Sequence, residues 1–186
     1  MTVQRVYLDH AATTSMLPQA RAAWLEVSEQ VGNASSLHAS GRAARQVVES
    51  SRESIAGDLG TRPSAVIFTG GGTESDNLAV KGLYWARRAQ LEKQSLTVVT
   101  SGIEHHAVLD PVVWLGAHED ADVRLLNTDA QGRVNPEDVE SALAAGGVAL
   151  VSIMWANNEI GAVQPVQDLA RICRKYDVPF HTDAVQ

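Results

Sequence analysis

The sequence predicts an α/β fold, a mostly parallel sheet with helices on both faces. Short apolar runs alternate with segments of helical period along most of the chain, an order that implies right-handed crossovers between parallel strands. Four of the runs end in polar residues, the pattern of an open sheet that binds ligand beyond the carboxyl ends of its strands. The composition, 45% apolar and 20% charged over 186 residues, suits one ordinary globular domain with a substantial core.

The elements follow in order. After Val6-Tyr7-Leu8 the chain turns through residues 9–14, and a helix follows Pro18 with Ala22, Leu25 and Glu29 along it. Residues 31–38 form a turn-rich loop. A long amphipathic helix comes next, with Ala44, Val47, Val48, Ser51, Ile55 and Leu59 on one stripe. Arg45, Glu49, Arg52 and Glu53 lie opposite, spaced for i,i+4 pairing, and Gly60 and Pro63 end the helix. Strands are expected at 65–68, 96–99, 123–126, 148–154 and 178–182. Helices are expected at 74–88, from about His105, from the Asn135 cap with Pro136 to Leu143, and at 166–176.

The formal charge of −7 argues against a nucleic-acid partner, which needs clustered Lys and Arg; Arg87-Arg88 reads as a solvated helix end. No apolar run approaches the roughly 18 residues of a membrane helix. No signal-like segment opens the chain, so a membrane role is not expected and the cytoplasm is the default compartment. The single Cys173 excludes an internal disulfide; it shares a helical stripe with Val166, Leu169, Ala170 and Tyr176 and reads as an inert core residue.

Chemistry concentrates at the strand ends. Thr69-Gly-Gly-Gly-Thr73-Glu-Ser-Asp76 puts three glycines before a helix, with Thr73 and Asp76 spaced as a capping box. Exposed backbone N–H groups and the helix dipole make such a turn an anion site, phosphate being the usual anion, unless it is a plain tight turn. It is neither a Walker loop nor a dinucleotide G-x-G-x-x-G. Asp183, at the end of the last strand, could hold a cationic ring nitrogen, coordinate a metal or cap the next segment. His105 and His106 could supply a base or a ring to stack on a flat cofactor, and no second His stands at metal-ligand spacing. Asn157-Asn158 brings neutral donors and acceptors to a strand end. The three lysines, Lys81, Lys93 and Lys175, all fall in or near helices rather than in a strand-end loop suited to a Schiff base.

Six stretches, in order, resemble the cysteine desulfurases, pyridoxal-phosphate (PLP) enzymes of the class V aminotransferase group with a fold-type-I large domain. They are Tyr7-Leu-Asp-His-Ala-Ala-Thr-Thr14, Gly32-Asn-Ala-Ser-Ser-Leu-His38, residues 68–82 around the glycine loop, Glu104-His-His-Ala-Val-Leu109, Val151-Ser-Ile-Met-Trp-Ala-Asn-Asn-Glu-Ile-Gly161 and His181-Thr-Asp-Ala-Val-Gln186. The wording is closest to the housekeeping and nitrogen-fixation group, with His10 where Asn is frequent and Ala34 where Pro is frequent. The resemblance implies that Gly72 and Thr73 hold the phosphate and that His105 stacks on the ring and shuttles protons. It further implies that Asn158 contacts the ring-hydroxyl region, Asp183 pairs with the protonated pyridine nitrogen, and Gln186 bonds the ring oxygen.

The resemblance also implies an activity: sulfur is removed from L-cysteine, leaving alanine and an enzyme persulfide for iron–sulfur assembly or thiolation partners. A homodimer is implied, with residues 1–15 joining a small domain and residues 16–186 forming an incomplete large domain. In the family the Schiff-base lysine, catalytic cysteine and substrate-binding arginine lie beyond the Asp-Ala-x-Gln motif, so the 186 residues by themselves are expected to be inactive. The alternatives are another fold-type-I lyase or aminotransferase, or a non-catalytic module.

Overall fold

A four-stranded, all-parallel sheet runs through the unit formed by Thr69–Gln186. The computed structural model describes residues 6–186; Met1–Arg5, the start of the segment expected to join a small domain, lie outside the described residues. The strands are β1 (Thr97–Ser101), β2 (Asp122–Leu126), β3 (Val148–Ser152) and β4 (Phe180–His181), in the spatial order β2-β1-β3-β4. The central β3 is buried at all five positions, as a parallel strand covered on both faces must be.

Helices cover both faces, as expected. On one, α3 (Gly72–Gln90) and α4 (His106–His118) bring Val80, Tyr84, Val108, Val112 and Leu115 onto Val98 and Leu150. On the other, α5 (Pro136–Ala144) and α6 (Val166–Lys175) pack Val139, Leu143, Leu169 and Ile172 onto Val99 and Val151. The register slips between Thr97 and Val98, which pair with Val148 and Leu150, so Ala149 is the extra residue and joins Leu150 in the first cluster. Asn135 caps α5, its side chain accepting from Glu137 N–H at 3.1 Å. Cys173 is fully buried in the second cluster, and burial pushes its thiol up to about 11. It is core, not nucleophile.

The described residues 6–68 belong to a separate unit. Pro18 opens α1 (Pro18–Ser28), which buries none of its residues, and α2 spans Ala39–Asp58. Ala44, Val47 and Val48 of the expected stripe are half-buried, whereas Ile55 and Leu59 are exposed. Of the expected charge pairs, Arg52 reaches Glu49 at 3.2 Å, one turn back at i,i+3. His38 Nδ1 accepts from Gly41 N–H at 3.3 Å and caps α2, and the 33–36 turn lies against that first helical turn. A Cβ on Gly41 would meet Ser36 Cβ at 2.7 Å and Asn33 O at 2.8 Å, besides colliding with Ser36 O. Gly41→Ala is therefore expected to cost about 2 kcal/mol of overpacking, more than the roughly 1 kcal/mol alanine gains in helix propensity. An undiminished urea midpoint would contradict that close approach.

One expected strand is absent. Residues 65–68 follow a 3-10 turn at Pro63–Ala65, and Val66 is extended without joining the sheet. Arg52 explains it: its Nη1 donates to the Val66 carbonyl, and its guanidinium lies 4.8 Å from the Phe68 ring centroid. The carbonyl that a ladder would use is bonded to a side chain.

Candidate functional site

From β1 the chain crosses to β2 on one side, while β3 and β4 lie on the other. The order therefore reverses between β1 and β3, and the crevice beyond their carboxyl ends is the place for a ligand. Thr100 Oγ1 donates to the Ser152 carbonyl at 2.8 Å and ties these two strands together at that end.

The glycine loop lies at this end. Gly71 is the N-cap of α3 and Gly72 its first residue, so Thr73 and Asp76 sit inside the helix rather than forming the expected capping box. The glycines let the helix start two residues earlier than a Thr73 cap would require. The first intrahelical donor is Ser75 N–H, bonded to Gly71 O at 3.1 Å, which leaves the N–H groups of Gly72, Thr73 and Glu74 in the first turn outside the helix ladder. Glu74 curls back so that its Oε2 accepts from Gly70 N–H at 2.6 Å. An anionic oxygen already stands in the loop.

After β1, the exposed His105 caps α4: its Nδ1 accepts from Ala107 N–H at 3.1 Å, which puts the proton of the neutral ring on Nε2. Thr73 and His105 line one groove of about 340 Å³, with Asn77 and Lys81 further along it. Beside His105, Glu104 is buried at 5% exposure, and both its oxygens accept from Met154 N–H, at 3.0 and 2.9 Å. Ser101 Oγ donates to Glu104 Oε1 at 2.5 Å. Burial pushes the Glu104 carboxyl up to about 7, Ser101 and Met154 pull it down, and the charges of Asp183 and Asp76 raise it further.

At the end of β4, His181 is held on both sides. Its Nδ1 lies 2.8 Å from Ser152 Oγ, and its Nε2 approaches Asp76 Oδ1 at 3.5 Å. Burial lowers the His181 pKa, with Asp183 opposing. Asp76, only 5% exposed, is pushed up to about 6 by burial and then by Asp183, with His105 pulling the other way. Asp183 is half-buried; its carbonyl accepts from Trp155 N–H at 2.8 Å, and its Oδ1 accepts from Val185 N–H at 3.1 Å. Val185 Cγ2 lies 3.7 Å from where a Gly72 Cβ would be, which brings the end of the chain against the glycine loop.

The fold thus gathers Gly72, Thr73, His105 and Asp183 at one end of the sheet. Asn158 and Gln186 are exposed there, and it is Asn157 that is buried. The Asn157 amide donates to Ile103 O at 2.8 Å while Oδ1 accepts from Glu159 and Ile160 N–H at 2.9 and 2.8 Å, so this residue builds the turn that displays Asn158. Sequence reasoning assigned no role to Glu104, Ser152 or His181. The available signal was a carboxylate three residues after the buried Ser101, directly at a strand end.

Comparison with known proteins decides the family. The Aminotransferase class-V family model matches residues 6–186. The chain belongs to this class-V aminotransferase family. An "IscS-like cysteine desulfurase" of Mycobacterium tuberculosis is 55% identical over 181 residues, covering 97% of this chain and 46% of that protein. The solved structure of a "NifS-like protein" superposes with a TM-score of 0.89 at 37% identity, covering 98% of this chain and 50% of the other. "SspA in complex with cysteine" gives 0.85 at 36% identity over 96% and 50%. The chain is a cysteine desulfurase homologue that spans about half the length of the relatives it matches.

Class-V aminotransferases use PLP, and the residues here fit that group. The free first-turn N–H groups and the Glu74 oxygen at Gly70 mark a seat for phosphate. Asp76, Glu104 and Asp183 form a mutually repelling set of carboxylates that favours a cationic ring nitrogen.

Proposed function

We propose that this chain forms the cofactor-cradling half of a PLP-dependent cysteine desulfurase. The observation that carries the reading is the convergence of the glycine loop, His105 and Asp183 at the switch point of the sheet. Gly72 and Thr73 receive the phosphate at the α3 N-terminus. His105, its Nδ1 engaged by Ala107 N–H, presents Nε2–H to the ring and can hold or pass a proton there. Asp183 accepts the pyridinium N–H, Asn158 faces the ring hydroxyl, and Gln186 bonds the ring oxygen. When bound, PLP supplies the electron sink that activates the amino-acid substrate.

L-cysteine is the proposed substrate, supported by the desulfurase relatives and by the relative solved with cysteine. The products would be alanine and a persulfide on a cysteine other than the buried Cys173, for delivery to sulfur-acceptor scaffold proteins. Neither Lys81, held 4.2 Å from the Trp114 ring centroid, nor Lys175, paired with Glu140 at 2.6 Å, suits covalent attachment of the cofactor. A homodimer in the cytoplasm completes the reading; among the described residues no helix is long and apolar enough to cross a membrane. The test is product analysis of the full-length protein carrying this sequence, supplied with PLP, L-cysteine and a thiol reductant. Equimolar alanine and sulfide are expected; alanine with no protein persulfide formed would defeat the assignment.

A further inference from the structure

Asp76 is an expensive residue where it stands. It lies on the face of α3 that buries Val80 and Tyr84, four and eight residues on, and keeps 5% of its surface exposed. An unpaired carboxylate in such a place costs several kcal/mol. The imidazoles facing it are His181 from β4, at 3.5 Å, and His105 from the turn before α4; the carboxylates are Asp183 and Glu104. His181 compensates poorly, because its own burial disfavours the charged ring and its Nδ1 is engaged with Ser152 Oγ at 2.8 Å. The cluster is therefore left with an excess of negative charge directed at the end of β4, where Asp183 follows two residues after His181.

We propose that Asp76 is a buried positioning residue for the ring-nitrogen contact, orienting His181 from α3 and adding a second negative charge behind Asp183. The proposal rests on the reading of Asp183 as partner of a pyridinium. The Ser152–His181–Asp76 chain links β3, β4 and α3 at the point where the last strand ends. It holds the backbone that carries Asp183 without engaging the Asp183 carboxylate, whose Oδ1 accepts from Val185 N–H. A cation at Asp183 then relieves the repulsion among the three carboxylates, so the strain of burying Asp76 becomes affinity for a protonated ring.

The probes are PLP and its carbocyclic analogue, in which the ring nitrogen is replaced by carbon. Their dissociation constants are measured by absorbance on the full-length protein carrying this sequence. Asp76→Asn is expected to weaken PLP about five- to tenfold and to leave the analogue unchanged, because only PLP carries the cation. His181→Gln leaves the Asp76 charge in place without the ring that partly offsets it and is expected to bind PLP no more weakly than the wild type; a loss confined to PLP in this variant would overturn the charge role and decides the matter should the Asp76 variant fold poorly. Equal loss of both ligands in either variant would mean a merely structural role, and unchanged PLP binding in Asp76→Asn would also overturn the proposal. Asp183→Asn separates the two levels of inference. If it leaves PLP binding unaltered, the cofactor reading fails; if it alone weakens PLP, that reading stands and only the role of Asp76 is lost.

Discussion

Glu104→Ala is expected to destabilise the protein by about 2–4 kcal/mol, although the residue makes no contact with solvent chemistry. The substitution leaves the buried Met154 N–H and Ser101 hydroxyl without their acceptor and opens a void between the ends of β1 and β3. Glu104→Gln keeps an acceptor oxygen and should cost far less, which makes it the reference for pH. Burial raises this carboxyl from 4.5 to about 7, so the folded state binds the proton more tightly than the unfolded chain does. Its contribution to stability is full below pH about 4.5 and is lost as pH rises through about 7, a change of about 3 kcal/mol. Asp76, raised from 3.8 to about 6, acts in the same direction. Urea midpoints at pH 5 and pH 8 should fall for the wild type relative to Glu104→Gln. Parallel midpoints would show that Glu104 is not carrying the proton assigned to it.

Asp183→Asn should separate function from stability. The amide oxygen can still accept from Val185 N–H, and the backbone bond to Trp155 is untouched, so the local turn survives. What disappears is the charge. A charge-assisted hydrogen bond to a pyridinium is worth about 1.5–3 kcal/mol, which corresponds to roughly ten- to 150-fold in PLP affinity. Losing the same charge also removes a repulsion that raises Asp76 and Glu104. The cofactor-free variant is therefore expected to be more stable than wild type at pH 8 and to bind PLP less tightly, the usual exchange at a strained site. A variant less stable in the absence of PLP would mean that Asp183 serves chiefly as a cap.

Much of the architecture was legible because local signals agreed with the global one. Of the stripe Val166, Leu169, Ala170, Cys173 and Tyr176, Leu169 and Cys173 are buried and the other three half-buried; Asn135-Pro136 opens α5, and the apolar run expected as a strand at 148–154 supplies β3, buried at all five positions. The run at 65–68 misled, because apolar content cannot reveal that Arg52, 14 residues earlier, bonds the Val66 carbonyl. The capping box misled for a related reason. The Thr73 and Asp76 spacing is right for a cap, but the three glycines start the helix sooner and turn Asp76 inward.

The residues of the site itself divide along the same line. Periodicity and turn chemistry determined the alternating α/β class, the inert Cys173 and the places where polar groups meet strand ends, because each depends on neighbours a few residues away in the chain. Only the tertiary structure decided what those groups do to one another. Asp76, Glu104 and Asp183 are separated by 28 and 79 residues along the chain, yet the fold brings them close enough that the charge of Asp183 raises the pKa of both Asp76 and Glu104. Coulomb energies depend on distance in space and on the exclusion of water, and neither exists until the strands have paired.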